Sequence, residues 1–205
     1  MDVQGRGVMD QDSQSNGNKT VDELNAVIET HLDAVKILQD ALEGLRSPIY
    51  QSDASQMLNE HLEAATRLQQ RVTMLGGQPA QTAHKSTELT ESWQEIWETG
   101  EDQASLLALR ANERVMVDGY MVNLGKENLL QTMSEEGIAA HREALEADLR
   151  HFQTLTDRLR DLGVAVDNDD VMGAVRNAAE HMHAAINLSG TAVEAFLKWA
   201  TAKTD

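Results

Sequence analysis

Histidines and carboxylates, the ordinary protein ligands of divalent metals, recur in this chain at positions where an amphipathic helix would carry Leu, Ile or Val. They are His31, His61, Glu113, Asp148 and, at the edge of its stripe, His151. An unpaired charge in an apolar seam costs several kcal/mol, so these groups must pair with one another, hold water or bind a metal. Two chemistries are therefore open: a divalent metal held by imidazole nitrogens and carboxylate oxygens, or a metal-free polar network that sets helix register.

The seams that carry these residues are regular. The first runs Leu24, Ile28, His31, Val35, Leu38, Leu42, Leu45, and the second Ala54, Leu58, His61, Ala65, Leu68, Val72, Leu75. The third is Leu106, Leu109, Glu113, Met116, Tyr120, Leu124, and the fourth Ile138, His141, Leu145, Asp148, Phe152, Leu155, Leu159, Leu162. Steps of three and four residues predict amphipathic helices with one buried face each.

Along the chain, residues 1–19 are rich in Gly, Ser, Asn, Gln and Asp without periodicity and read as a flexible tail. Thr20 and Glu23 form a capping-box pattern, and the first helix is expected to reach about Arg46 before Ser47-Pro48. Asp53 is the expected cap of the second helix, which stops at Gly76-Gly77. The third helix is predicted from Asp102 to Leu124, the fourth from Ser134 to Leu162 and Gly163. The connection 76–100 carries Trp93 and Trp97 on a short helix, read as a plug for one end of the core. A fifth helix, within 164–205, has the wide stripe Met172, Val175, Ala179, Met182, Ile186, Val193, Leu197, Ala200 and must pack on the bundle or on a second copy. The ends of the second helix (Leu68, Arg71, Leu75, Gly76) and the fourth (Leu155, Arg158, Leu162, Gly163) share one spacing, a faint duplication that aligns His61 with Asp148.

Composition agrees with an all-α chain: Pro occurs twice in 205 residues, the chain has nine Met and few aromatics, and no alternating strand pattern is evident. A net charge of −17 disfavours nucleic acid and anionic membranes, since both bind through Lys and Arg. With no cysteine there is no disulfide, thiolate metal site or thiol catalysis. No signal peptide or long apolar run is visible, which points to the cytoplasm. Nucleophile elbows, phosphate loops and dinucleotide fingerprints are also missing, so any catalysis would be metal chemistry. Glu180-His181-Met182-His183 contains a literal Glu-x-x-His, but Glu180 faces away from its stripe; Asp167 to Asp170 lacks the glycine and glutamate of a calcium loop and reads as a cap.

The chain resembles the ferritin-like superfamily, and within it small bacterial four-helix proteins. The resemblance is carried by Leu24 to Leu42, by Leu68 to Pro79 with its Leu-Gly-Gly-Gln-Pro ending, by Trp93, and by Glu113 followed by Tyr120, and it spans about residues 20–163. It implies a bundle of two antiparallel hairpins joined by a long crossover, with the fifth helix as an addition. It also implies a ligand set: Glu113 matches the third-helix glutamate and Asp148-x-x-His151 is a shortened fourth-helix Glu-x-x-His. The second helix keeps its histidine as His61 but has Leu58 at the glutamate position, and the first has His31 where a glutamate is expected. With Glu113 and Asp148 as the remaining carboxylates, the set suits one divalent ion (iron, manganese or zinc) rather than a pair.

Two functions follow as expectations. One is a metal-binding ferritin-like protein with a storage, sensing or stress-related role. The other is a non-enzymatic, metal-free helical module that self-associates through its fifth helix.

Overall fold

Four long helices form from the apolar seams: α1 (Arg6–Gly44), α2 (Pro48–Met74), α3 (Asp102–Leu124) and α4 (Glu135–Asp161). The structure is a computed structural model that describes residues 6–83, 96–98, 100–124 and 132–166, with side chains from residue 17 onward. Among these residues there is no strand, and no helix is long and apolar enough to cross a membrane. The fifth helix of the sequence reading, with Glu180 to His183, lies outside the described residues, as do Trp93 and the segment from Asp167 to Asp170.

Named contacts set the directions. His31 meets His61 across the short α1–α2 turn, so α1 and α2 are antiparallel. Arg158 pairs with Asp53 near one end of α2 and Glu136 with Arg71 near the other, making α4 antiparallel to α2. Arg110 with Thr156 and Tyr120 with His141 do the same for α3 and α4. The end of α2 lies beside the middle of α1, where Asn25 binds Gln78 and Ala80. The start of α3 lies at the opposite end, where the Asp102 carboxylate accepts from the backbone N–H groups of Arg46 and Ser47. The α2–α3 connection must therefore travel the length of the helices.

Two apolar clusters fill the interior. Leu24, Ile28, Val72, Leu124, Leu145 and Phe152 make one; Leu38, Leu45, Met57, Leu109, Leu155 and Leu159 make the other. Trp97 is buried in the second, as expected of a plug. Each such side chain contributes roughly 1.5–3 kcal/mol by leaving water, and together they hold the polar residues that fall between them in register.

Several local expectations change. α1 begins at Arg6, so Thr20 is an interior residue and the stretch read as a tail is helical from there on. Glu23 does not close a capping box: its carboxylate accepts from the backbone N–H and hydroxyl of Ser134, the N-cap of α4. Gly137 permits that approach, because a Cβ there would collide with the Glu23 carboxylate. Pro48 is the first residue of α2, where its fixed φ and missing N–H fit a helix start; Asp53 lies a turn inside and pairs with Arg158. In α2, Met57 takes the buried place and Leu58 is only partly buried, while Leu162 of the fourth seam is exposed.

Candidate metal centre

The polar seam residues converge in one layer. His61 from α2, Glu113 from α3, and Asp148 and His151 from α4 each offer a ligand atom, all within 4.8 Å of one another, and all four residues are buried. Ligand atoms about 2.1 Å from an ion lie at most about 4.2 Å apart, so small side-chain rotations suffice to close the set around one cation. The group could hold a metal ion.

His61 Nε2 stands 3.9 Å from Glu113 Oε1 and 3.9 Å from Asp148 Oδ1, and His151 Nδ1 stands 3.5 Å from Glu113 Oε2. None of these is a well-formed hydrogen bond. His61 Nε2, His151 Nδ1 and every carboxylate oxygen of Glu113 and Asp148 are buried without a partner. Folded proteins avoid this arrangement, because each orphaned buried polar atom costs about 1–3 kcal/mol.

The opposite edges of both imidazoles are satisfied. His31 and His61 place their Nδ1 atoms 2.9 Å apart, sharing a hydrogen. A His61 Nδ1–H donated to His31 leaves the lone pair of His61 Nε2 facing the carboxylates. On α4, His151 Nε2–H donates to Glu60 Oε2 at 3.0 Å, which leaves Nδ1 facing Glu113. Metal-ligating histidines ordinarily donate their other N–H in this way, which fixes ring and tautomer.

Of the five residues singled out in the sequence, four form the converging set. His31 is outside it, bonded to His61 instead. Glu60, which sequence reasoning missed, joins through His151; it lies on the α4 side of α2, next in sequence to a seam histidine, and only the packing of α4 gives it a role. His141 Nδ1–H donates to the Gly137 carbonyl of its own helix at 2.8 Å, and its ring stands edge-on against Tyr120.

The electrostatics are asymmetric. Burial lowers the imidazoles of both α1 and α2, His31 to about 4 and His61 well below its usual range, with the charge of His151 adding to the effect. Burial raises the Glu113 carboxyl and, together with the Glu113 charge, raises Asp148 well above the ordinary carboxylate range. His151 is held up: burial opposes its charge, but the Glu113 and Glu60 carboxylates outweigh that. Glu113, Asp148 and His151 are thus shifted toward their protonated forms, and His31 and His61 toward their neutral ones.

The chain matches no family model, and comparison with curated proteins and with solved structures gives no match.

Proposed function

We propose that this chain is a ferritin-like helical protein that binds one divalent cation through His61, Glu113, Asp148 and His151. The observation that carries the reading is the convergence of unpartnered, buried nitrogen and oxygen atoms from three helices on one point. Charge supports a single ion: two ionised carboxylates balance one divalent cation and the imidazoles add none, whereas a second cation would be uncompensated in a buried layer. The mixed nitrogen and oxygen donors suit iron, manganese or zinc. Such an ion would act as a Lewis acid or, for iron and manganese, as a redox centre.

The directions of α1 to α4 and the long α2–α3 connection support the ferritin-like topology. Storage, sensing or protection against oxidative stress, in the cytoplasm, is the role that resemblance favours, with self-association through residues 164–205 as the partner relation. The metal-free network is disfavoured because a network that sets register satisfies its members, and here only the outer edges of the imidazoles are satisfied. Calorimetric titration of the chelator-treated chain with Zn²⁺, Mn²⁺ and anaerobic Fe²⁺ tests the proposal. One-to-one binding of at least one of them, lost in Glu113→Leu, is expected; no binding by the wild type would end it.

A further inference from the structure

We propose that divalent cations reach this centre through the cleft between α2 and α4, with the Glu60 carboxylate receiving the cation at the mouth and passing it to the His61 and His151 side. The inference rests on the metal reading above. It adds the route and the residue that governs it.

The cleft has a volume of about 360 Å³, and its inner wall includes His31, His61 and His151. Two of these imidazoles carry the unpartnered nitrogens of the centre, and both are more than nine-tenths buried. Small side chains, Ala64, Ala140 and Ala144 among them, leave the space open. At the rim, Glu60, Glu63, Glu143 and Glu146 face Arg67 and Arg150. Acidic groups outnumber basic ones, so the mouth attracts a cation and concentrates it there.

Glu60 holds a particular place on that rim. Its side chain is 34% exposed while its Oε2 sits 3.0 Å from His151 Nε2, so this carboxylate touches both water and a residue of the buried set. With Arg150 and His151 it also lines a neighbouring depression of about 150 Å³. Movement of this one side chain would widen the passage between surface and centre. Arg150, 3.6 Å from Glu60, supplies the charge that holds the carboxylate when no cation is in transit.

The opposite cleft, between α1 and α3, offers no comparable path. It has a volume of about 280 Å³, is walled by Ile37, Val115, Met116 and Tyr120, and reaches His141 rather than any of the four converging residues. Asp33, Asn112 and Asn123 add oxygens to this lining, but none of its residues belongs to the converging set, so a cation held there is not delivered to the centre.

The test is stopped-flow absorbance of Co²⁺ loading into the chelator-treated full chain, with release followed after addition of excess chelator. Glu60→Gln keeps an oxygen that accepts the His151 hydrogen bond but removes the charge. Association and release should both slow by about tenfold, as expected when local steering is lost. The equilibrium Kd should change by less than about threefold, because the carboxylate is partly exposed and screened. Ala64→Leu, which fills the cleft, should slow both rates, and Ala26→Leu in the α1–α3 cleft should slow neither.

Wild-type rates in both Glu60→Gln and Ala64→Leu would overturn the route. So would a Glu60 effect confined to a raised Kd in Glu60→Ala, which would mark a residue that only orients His151. Failure of the wild type to bind Co²⁺, Zn²⁺, Mn²⁺ or Fe²⁺ at all would instead overturn the metal reading itself, so the two failures are distinguishable.

Discussion

The α1–α2 hairpin and the α3–α4 hairpin put polar groups into the same buried layer in opposite ways. The first contributes His31 and His61, neutral imidazoles that satisfy each other across 2.9 Å. The second contributes Glu113 and Asp148, whose oxygens are all unpartnered, and His151, which faces them with one nitrogen and Glu60 with the other. A neutral hydrogen-bonded pair is at rest in a low-dielectric interior, whereas two carboxylates close together are not unless protons or a cation compensate them. One hairpin thus supplies a rigid, oriented nitrogen, and the other supplies the charge that calls for a cation.

The largest effect expected from this contrast is metal-linked stability. At a free concentration about 1,000 times Kd, a binding cation should stabilise the folded chain by about 4 kcal/mol, read as a rise in Tm over the chelator-treated protein. Asp148→Asn should abolish most of that rise. An unchanged rise would place the charge requirement elsewhere than the α3–α4 hairpin.

In chelator, substitutions in the two hairpins should have opposite signs. His61→Leu leaves His31 Nδ1 buried without its partner and should cost about 1–3 kcal/mol in urea unfolding. Asp148→Asn removes a carboxyl whose pKa burial and the Glu113 charge raise in the fold, so at pH 8 it should gain stability. Loss of stability in both would show that the carboxylate is compensated in the apo protein and would erase the contrast.

Dependence on pH sharpens it further. Because Asp148 and His151 have raised pKa values, protons compete with the cation there, and affinity should climb as pH rises through those values. His31 and His61, with lowered values, are already neutral at pH 6 and add no competition between pH 6 and 8. Net proton release on cation binding, increasing as pH falls, is expected, measurable by calorimetry in buffers of different ionisation enthalpy. The stability linkage has the matching sign: in the apo chain the contribution of Asp148 is fully present below the ordinary carboxylate pKa and is lost as pH rises from there through its raised value.

The smallest expected effect lies at the partly exposed Asp53–Arg158 pair that joins the hairpins. Asp53→Ala should cost only about 0.5–1 kcal/mol, since solvent screens the pair. A loss comparable to His61→Leu would indicate that the junction, rather than the polar layer, governs how the hairpins meet.

The buried seams were legible in the sequence because three- and four-residue steps translate directly into one helix face. His31, His61, Glu113 and Asp148 could be assigned to the interior for that reason, and Asp102 and Leu124 as the ends of α3 from their neighbours' turn chemistry. Contacts between distant segments were not legible. Glu23 has a local use, a capping box with Thr20, and a tertiary one, holding Ser134, and only the packed chain decides between them. Pro48 can end one helix or begin the next, and with a turn as short as 45–47 it does the latter. The distinction between His31 and His61 is of the same kind: both occupy seam positions, but only the direction of each ring separates the residue facing the carboxylates from its supporting partner.

The most direct test of the central claim is the metal content of untagged full-length chain, equilibrated with Zn²⁺, Mn²⁺ or anaerobic Fe²⁺, freed of excess and measured by elemental analysis beside Glu113→Leu. One divalent ion per wild-type chain for at least one of these metals, and none above background in the variant, is the expected result. Equal metal in both proteins, or none in either, would contradict it.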